Sequence, residues 1–308
     1  MSKNPILSII VTAHNCEAYL DKCLQSIIKF AGEKFESLEI ILIDDSSVDR
    51  TNEMCRDFSE NRGNVMFYRV DFKNIGKVRN FAMKQCTGEY ITMIDGDDEV
   101  SSNAFSDIAL ILTENKPDIL LTRLNEIYIS STPDNKWTGL TVSPISQHKA
   151  IIKFLIHREV QAHFIGQFFR RDILEGMQFP ELRCYEDAYL FPSVLTKASS
   201  ILISPNSHYF YFKRSGSLSS HVDYEKVSML IKATEQMTVA FGELYENLIA
   251  CHWINIQHKH KAAIRDDSDK KLVKKCLKNI SFLPFLFDPK VRMSFKKKYL
   301  KLYFSGAF

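Results

Sequence analysis

Short apolar runs alternate, over the first hundred residues, with segments in which apolar positions recur every three or four residues. The apolar runs occupy residues 7–13, 38–43, 65–70 and 90–94. Each has the length and β-branched content of a buried strand. Helical spacing is found between them, over residues 17–30, 49–61 and 77–86. Strands that alternate with helices in this way predict a mainly parallel α/β sheet with right-handed crossovers.

The pattern is less regular after residue 101. Helical spacing returns over residues 104–115 and 149–157, and short strands are predicted at 119–121 and 208–212. Residues 130–146 are predicted to form a loop or a β excursion, and helical spacing resumes from about residue 224. We therefore predict a Rossmann-like α/β domain over residues 1–222, followed by a helical, basic region over residues 223–308.

The composition predicts a cytoplasmic protein. The 308 residues are 45% hydrophobic and 25% charged, and no apolar run reaches the roughly 18 residues that a transmembrane helix needs. The N-terminus runs directly into the first strand and lacks the shape of a signal peptide. The seven cysteines have no metal-ligand spacing, which is typical of reduced thiols.

Positive charge is concentrated near the C-terminus. Residues 259–308 contain fourteen Lys or Arg against four Asp, whereas the whole chain has a net charge of only +3. Val291, Phe295, Tyr299 and Leu302 follow helical spacing among these cations. Such a helix is typical of peripheral contact with an anionic membrane, here the cytoplasmic face of the inner membrane, and the alternative is a helix packed on the domain. Nucleic-acid binding is not predicted, because no recognition motif accompanies the charge.

Acidic residues directly follow two of the predicted strands. Asp44 and Asp45 end the second strand, and Asp95, Asp97 and Asp98 follow the fourth. The carboxyl ends of parallel strands meet at one edge of a sheet, which is where ligands bind in such folds. Carboxylates this close favour a hard divalent cation with oxygen ligands. We predict Asp97 as the main metal ligand and Asp95 in support; the alternative is a solvated acidic turn in which Asp98 caps a helix.

Four segments, in order, resemble the motifs of glycosyltransferase family 2, whose members have the GT-A fold. They are residues 8–15, residues 43–49, residues 74–80 together with 95–98, and residues 186–187. Asp95-Gly96-Asp97 is similar to the DXD motif of this family. The resemblance covers about residues 7–219 and implies an inverting enzyme of the bacterial surface-glycan type that uses Mn²⁺ or Mg²⁺. Gln167 departs from the family, because a lysine is frequent at that position.

The resemblance also implies which residues bind the donor nucleotide. A first group would surround the nucleoside and consists of Thr12, His14, Asn15, Asp44 and Asp45. A second group would form the opposite wall and consists of Asn74, Gly76, Lys77, Arg79, Asp95 and Gly96. Gly76 would permit close approach of the backbone to the ligand. Two interpretations of Arg79 stay open, contact with a phosphate or an ion pair with Asp97 or Asp98.

An inverting transfer requires a base that removes the proton from the acceptor hydroxyl. The resemblance implies Asp187 for this role, next to Glu186, and the alternative is an acid pair that only stabilises a helix N-terminus. A loop over residues 213–219 would close over the diphosphate, with Arg214 and Ser217 binding phosphate oxygens. His221 is a further candidate metal ligand, and an exposed surface histidine is the alternative.

These motifs predict a glycosyltransferase that moves a sugar from a nucleotide-sugar donor, with UDP as the predicted nucleotide. The predicted acceptor is a saccharide or lipid-linked saccharide in the synthesis of a surface polysaccharide, lipopolysaccharide or capsule. One alternative is a nucleotidyltransferase, but the first strand is not followed by the glycine-rich phosphate loop that it would need. A non-catalytic sugar-nucleotide or glycan-binding module is the second alternative, and the presence of all the acid pairs argues against it.

Overall fold

A computed structural model of the chain describes residues 4–128, 137–214 and 223–306. Within these residues a single mixed sheet is flanked by helices. Its strands are β1 (Leu7–Ala13), β2 (Glu39–Asp45), β3 (Val65–Val70), β4 (Tyr90–Asp95), β5 (Glu99–Val100), β6 (Ile119–Tyr128), β7 (Ser143–Ile145), β8 (Phe168–Arg170) and β9 (Ile201–Lys213). The helices are α1 (Leu20–Ala31), α2 (Thr51–Ser59), α3 (Ile75–Gln85), α4 (Phe105–Asn115), α5 (Gln147–Leu155), α6 (Glu186–Lys197), α7 (Tyr224–Phe241), α8 (Glu246–His260), α9 (Asp267–Lys278), α10 (Phe282–Phe287) and α11 (Met293–Phe304).

The sheet has a parallel half and a mixed half. Its strand order is β3-β2-β1-β4-β8-β6-β9-β5, and β7 pairs with β9. The strands β3, β2, β1 and β4 run parallel, whereas β8 is antiparallel to both β4 and β6. Every residue of β1 and β2 is buried, since helices cover both faces. This confirms the parallel sheet that the apolar runs predict.

The mixed half differs from the sequence prediction in the length of its strands. The strand predicted at 119–121 continues to Tyr128, and the strand predicted at 208–212 begins already at Ile201. The extension of β6 has exposed polar side chains at Arg123, Asn125 and Glu126, and the extension of β9 contains Pro205 among polar residues, so both lack the continuous apolar character of a buried strand. Of the predicted loop or β excursion at 130–146, the described part contains β7, and residues 129–136 lie outside the described residues.

The C-terminal helices are present as predicted, and they pack on the rest of the protein. Tyr299 of α11 is 1% exposed, and its ring centroid lies 4.9 Å from that of Phe285 in α10. Its hydroxyl donates to the Ile280 carbonyl oxygen at 3.1 Å, and Val291 is buried as well. The apolar stripe predicted from the sequence therefore faces the protein, which is the second of the two alternatives. No helix in the described part of the chain has the length and apolar character that a membrane span requires.

Candidate active site

The acids that follow β2 and β4 meet at one edge of the sheet. The pairing of the parallel strands sets Thr12 of β1 opposite Asp95 of β4, and Ala13 opposite Asp44 of β2. The carboxyl ends of three neighbouring strands therefore lie side by side, and each presents polar groups at the same place. This is the juxtaposition that the spacing of the acids predicts.

Asp95 is fixed by β1 and α3. Its Oδ1 accepts a hydrogen bond from Thr12 Oγ1 at 3.0 Å and lies 3.4 Å from Arg79 Nη2. The following residue, Gly96, packs closely on the end of β1, because a Cβ there would lie 3.0 Å from the Thr12 carbonyl oxygen and 3.1 Å from Cys16 Sγ. The glycine thus lets the acidic turn sit directly against β1.

Asp97 lies on the half-exposed side of this turn and pairs with Arg214. Arg214 Nη1 lies 2.7 Å from Asp97 Oδ2, and Arg214 Nη2 donates to the Asp97 carbonyl oxygen. Burial, and then repulsion by Asp95, raises the pKa of Asp97, and Arg214 opposes that shift. The Arg214 guanidinium also stacks at 4.0 Å from the ring centroid of Tyr19. Arg214 therefore holds the place that a cation beside Asp97 would take.

The donor set at this turn fits a hard divalent ion that binds together with a diphosphate. Asp95 and Asp97 supply carboxylate oxygens, and their side chains are 31% and 43% exposed. Among the described residues no group of three or more His, Cys, Asp or Glu could hold a metal. Mg²⁺ in particular is usually bound by one or two carboxylates plus substrate phosphates and water. Asp95 and Asp97 are the residues that would hold it here.

Asp98 is a structural acid. Its carboxylate accepts hydrogen bonds from the Tyr209 hydroxyl at 2.7 Å and from the Phe212 backbone N–H at 2.9 Å. Burial, followed by repulsion from Asp95 and Asp97, raises the pKa of Asp98 to about 8. These contacts tie the acidic turn to β9, the strand that ends just before Arg214. The predicted alternative, a solvated turn in which Asp98 caps a helix, is wrong, since Asp98 is 1% exposed.

Arg79 connects the acidic turn to the predicted catalytic pair. It is 4% exposed, and its Nη1 lies 2.6 Å from Asp187 Oδ1 and 2.9 Å from Glu186 Oε1. The nearby carboxylates hold the pKa of Arg79 above its ordinary value against the effect of burial. The sequence left open an ion pair of Arg79 with Asp97 or Asp98. Arg79 does form ion pairs, but that choice of partners is wrong, because Asp97 pairs with Arg214 and Asp98 is bonded to Tyr209.

Glu186 and Asp187 open helix α6, where Tyr185 adopts a left-handed conformation with φ of 63°. Burial, and then repulsion by Asp187, raises the pKa of Glu186 to about 7, and Arg79 acts in the opposite direction. Burial also raises the pKa of Asp187. Asp187 Oδ2 accepts a hydrogen bond from the Phe164 backbone N–H at 3.2 Å. The pair thus does more than cap a helix, because it faces a buried guanidinium and the acidic turn.

Asp45 organises the loop that leads into α3. Its carboxylate accepts hydrogen bonds from the backbone N–H groups of Phe72, Lys73 and Asn74 at 2.7, 3.0 and 3.2 Å. Its carbonyl oxygen lies 2.6 Å from His14 Nδ1. The predicted nucleoside residues His14 and Asp45 are therefore in contact with one another.

Asp44 is fully buried and makes local contacts. It accepts hydrogen bonds from Asn52 Nδ2 at 3.1 Å and from the Ser47 backbone N–H at 3.2 Å, and Arg69 Nε lies 3.6 Å away. Asn15 bonds the same turn, since its Oδ1 accepts from the Val48 N–H at 2.9 Å. The contact of Asp44 and Asn15 with a nucleoside stays a prediction, and both residues shape the turn after β2.

The start of α3 is held against residues 179–182. Asn74 caps the helix by accepting a hydrogen bond from the Lys77 N–H at 3.0 Å, and Lys77 Nζ lies 2.8 Å from Glu181 Oε2. A Cβ on Gly76 would lie 2.4 Å from the Pro180 carbonyl oxygen. Glycine at 76 is thus required by contact with the protein backbone, whereas the sequence predicted close approach to a ligand.

The structure does not describe two of the predicted site residues, Ser217 and His221, which lie within residues 215–222. Gln167 is buried away from the acids, with its side-chain Oε1 accepting from the Thr122 N–H at 2.7 Å. Sequence reasoning missed two aromatic residues of the site, Tyr19 and Tyr209. Tyr19 falls within residues 17–30, whose helical spacing gives an aromatic residue no role beyond packing, and its place four residues after Asn15 was the signal available.

The chain is similar in sequence to known proteins. The model of Glycosyl transferase family 2 matches residues 8–177. The chain is 25% identical to glycosyltransferase GlyA of Streptococcus pneumoniae over 225 residues, which is 69% of this chain and 31% of GlyA. It is 26% identical to poly(ribitol-phosphate) beta-N-acetylglucosaminyltransferase TarS of Staphylococcus aureus over 259 residues, which is 80% of this chain and 43% of TarS. The chain therefore spans less than half the length of these relatives.

Solved structures have the same fold. Residues 1–349 of S. aureus TarS, in complex with UDP-GlcNAc, match with a TM-score of 0.69 and 21% identity over 97% of this chain and 92% of that chain. Mannosyltransferase PcManGT from Pyrobaculum calidifontis, in complex with GDP-Man and Mn²⁺, matches with a TM-score of 0.56 and 13% identity over 99% of this chain and 87% of that chain. These likenesses confirm the predicted GT-A fold with a helical C-terminal region.

Proposed function

Because this chain belongs to glycosyltransferase family 2, we propose that it transfers a sugar from a UDP-linked donor to a saccharide acceptor during the synthesis of a surface glycan. The observation that carries the proposal is the position of Arg79, which lies 3.4 Å from Asp95 of the DXD-like turn and 2.6 Å from Asp187. One buried guanidinium thus joins the acids that would hold a donor diphosphate to the acid that would activate an acceptor. UDP is favoured because the related TarS structure contains UDP-GlcNAc.

The acids of the turn would act on the donor. Asp95 and Asp97 would hold Mn²⁺ or Mg²⁺ beside the diphosphate, and Thr12 would keep Asp95 in place through its 3.0 Å hydrogen bond. When bound, the ion stabilises the negative charge that develops on the leaving diphosphate. Arg214 pairs with Asp97 in this structure. With the donor bound, its two N–H groups would donate hydrogen bonds to phosphate oxygens, a geometry for which a guanidinium is suited.

Asp187 would act on the acceptor. As its carboxylate takes the proton of the acceptor hydroxyl, the hydroxyl oxygen bonds to the anomeric carbon from the face opposite the diphosphate. The bond from that carbon to the phosphate oxygen breaks, and the diphosphate leaves with the electron pair. This single displacement inverts the anomeric carbon. The Phe164 N–H and Arg79 would orient Asp187 for the step.

Two other classes of function are alternatives to a glycosyltransferase. A nucleotidyltransferase would cleave between the phosphates of a nucleoside triphosphate. A non-catalytic module would bind a sugar nucleotide without turnover. The family membership and the pairing of Glu186 and Asp187 with Arg79 favour the glycosyltransferase.

A screen of donor hydrolysis tests the proposal. UDP-glucose, UDP-GlcNAc, UDP-galactose and GDP-mannose are incubated with Mn²⁺, and nucleotide release is measured. We expect turnover of at least one UDP-sugar and a fall of roughly 10²–10⁴ in the Asp187→Asn variant, which keeps the side-chain shape but removes the base. Asp57→Asn, at an exposed position of α2, is the matched control. Hydrolysis of none of the donors, or full activity of Asp187→Asn, would contradict the proposal.

We place the protein, again as a proposal, on the cytoplasmic face of the membrane that carries a lipid-linked saccharide. The buried stripe of α11 is not the contact surface. Other apolar side chains of the C-terminal helices are open to solvent, with Phe287 79% and Phe304 77% exposed. The exposed lysines Lys297 and Lys301 lie on the same helix as Phe304. Exposed apolar residues among cations favour an anionic lipid surface.

A further inference from the structure

A cavity of about 270 Å³ lies outside the site described above and has no role in the mechanism. One wall is the outer part of β6, and the other is the segment over residues 159–163. The apolar side chains that line it include Leu124 and Val160, and the polar ones are Thr122, Arg123, Glu126, Glu159, Gln161, His163 and Gln167.

Two observations connect this cavity to Asp187. The residue that follows His163 is Phe164, whose backbone N–H donates to Asp187 Oδ2 at 3.2 Å. The charges of Arg79 and Asp95 also act on the imidazole of His163, so the ring lies within electrostatic range of the acidic turn. The lining of the cavity is therefore linked to Asp187 through the step in the chain from His163 to Phe164.

The lining combines hydrogen-bond acceptors with donors. Glu126 and Glu159 are acceptors, and each is already paired with a lysine, at 3.1 Å to Lys213 and at 2.6 Å to Lys153. Arg123 is a donor. Burial lowers the pKa of His163 to about 4, so its ring is neutral near pH 7. Because its Nε2 lies 2.7 Å from Gln161 Oε1, that nitrogen carries the proton and Nδ1 is an acceptor.

A sugar ring suits such a lining. A hydroxyl group donates to a carboxylate or an imidazole nitrogen and accepts from a guanidinium at the same time. Leu124 and Val160 offer an apolar surface to the C–H face of a ring. A phosphate can only accept hydrogen bonds, so it could bond Arg123 but could not donate to Glu126, Glu159 or His163 Nδ1. The volume is below the roughly 300–1,000 Å³ typical of sites for larger ligands, which suits one sugar unit and not a nucleotide.

We propose that this cavity binds one neutral sugar unit of the acceptor, with Arg123 and His163 as its hydrogen-bonding residues, and directs a hydroxyl of that unit toward Asp187. The proposal rests on the proposed function, since it assigns the acceptor subsite of the same reaction. It also specifies the acceptor chemistry, a hydroxyl-rich ring without charge at the position next to the transferred sugar.

Binding of simple glycosides tests the assignment. The full chain, with UDP and Mn²⁺ present, is titrated with the methyl glycosides of glucose, galactose and N-acetylglucosamine, and with ribitol 5-phosphate as a charged probe. Dissociation constants are measured by calorimetry or by ligand-observed NMR. We expect at least one glycoside to bind, and Arg123→Ala and His163→Ala each to weaken it by roughly two- to tenfold, the effect of one lost hydrogen bond.

Leu124→Trp provides a second variant that fills the cavity without removing a polar group, and it should abolish glycoside binding. Arg50→Ala and His258→Ala change the same residue types at exposed positions of α2's N-terminal flank and of α8, and they should leave binding unchanged. Thermal unfolding of each variant shows whether it is folded. If Arg123→Ala or His163→Ala unfolds, the remaining polar variant and Leu124→Trp still test whether the cavity binds the glycoside.

Three outcomes would overturn the assignment: no binding of any glycoside, equal binding by the parent and the folded cavity variants, or binding of ribitol 5-phosphate alone. The proposed function fails separately. A chain that hydrolyses a UDP-sugar but fails these glycoside tests contradicts only the acceptor subsite. A chain that binds a glycoside in this cavity but hydrolyses no donor contradicts the proposed function.

Discussion

At the scale of single residues, the site depends on two arginines that pair with four carboxylates. Arg79 is buried among Asp95, Glu186 and Asp187, and Arg214 covers Asp97 at the surface. A buried cation stabilises acids that would otherwise repel one another, and losing it leaves them unpaired. Arg214, whose side chain is 17% exposed, would exchange its carboxylate for a phosphate in the proposed function. Arg79 thus suits a fixed structural role, and Arg214 suits contact with a ligand.

Replacing Asp97 tests the metal role at this scale. We expect Asp97→Ala to abolish Mn²⁺-dependent UDP binding and donor hydrolysis, because the ion loses its most accessible protein ligand. Calorimetric titration with UDP, with and without Mn²⁺, measures this directly. Asp107→Ala, in α4 and bonded to Trp137, serves as the control. Activity of the parent in EDTA would show that no divalent ion is needed.

The proposed catalytic pair, Glu186 and Asp187, should make the rate depend on pH. Burial raises the pKa of Glu186 to about 7 and raises that of Asp187. The proposed base, Asp187, must be ionised to accept a proton, and burial raises its pKa, so kcat/KM should fall toward acidic pH. Glu186, which lies beside it and has a pKa of about 7, should add a step near that pH. Glu186→Gln should remove this step and leave a profile that falls only at lower pH. The profiles are measured between about pH 5 and 9, and identical profiles for parent and variant would assign the step to another group.

The raised pKa of Glu186 also makes the stability of the folded protein depend on pH. The folded protein holds the proton of Glu186 more tightly than the unfolded chain does. The contribution of this group to the free energy of unfolding is therefore largest at acidic pH, and it declines as the pH rises from the ordinary value of 4.5 to about 7.

At the scale of elements, the site depends on contacts between segments far apart in the chain. The start of α3 is held by residues 179–182, through Gly76 against Pro180, Lys77 against Glu181, and Asn80 Nδ2 against the Phe179 carbonyl oxygen at 2.9 Å. The contacting residues Phe179, Pro180 and Glu181 lie five to seven residues before Glu186. They therefore fix Arg79, on α3, relative to the acids at the start of α6.

Gly76→Ala tests this coupling. The added Cβ would lie 2.4 Å from the Pro180 carbonyl oxygen, so α3 and residues 179–182 must separate. We expect a loss of roughly 1–3 kcal/mol in the free energy of unfolding, measured by urea denaturation, and a fall in donor hydrolysis. Gly63→Ala is the matched control, since nothing lies within 4 Å of its Cβ, and it should be neutral or slightly stabilising. Equal stability of the two variants would mean that the contact at Pro180 yields easily.

At the scale of the whole molecule, the C-terminal region is joined to the catalytic domain by a continuous hydrophobic core. Buried residues extend from β1 through α6, α7 and α8 to Phe285 and Tyr299. Deleting α11 would expose that core, so a truncated chain cannot report on membrane binding alone. The boundary at residue 222 stays a prediction, and the packing makes the two predicted regions dependent on one another.

Charge reversal on the outer face of α11 tests membrane contact without disturbing the core. Lys297→Glu with Lys301→Glu should weaken binding to anionic vesicles by at least about 2 kcal/mol, since each basic side chain near the surface contributes about 1 kcal/mol. Lys271→Glu with Lys274→Glu, at exposed positions of α9, is the control. Binding is measured by co-sedimentation at low and physiological salt. If both double variants bind like the parent, α11 is not the lipid-facing element.

The sequence by itself determined the parallel half of the sheet and the meeting of its acids. Runs such as residues 7–13 and 90–94 are apolar on both faces, so they specify buried strands by local pattern alone. Residues that directly follow such strands are then placed at one edge of the sheet, which is why Asp45 and Asp95 were assigned to a common site. The family motifs lie at the ends of these strands, so they predicted the same fold.

Only the tertiary structure decided which charges pair. Glu186 and Asp187 follow Arg79 by more than a hundred positions, and no periodicity relates residues so far apart. The same holds for Asp98 with Tyr209, for Arg214 with Tyr19, and for the small strand β8 that separates β4 from β6. A local pattern reports whether a side chain is buried, whereas its partner depends on how whole elements pack. That is why the residues of the site could be listed from the sequence, and why their connection through one buried arginine could not.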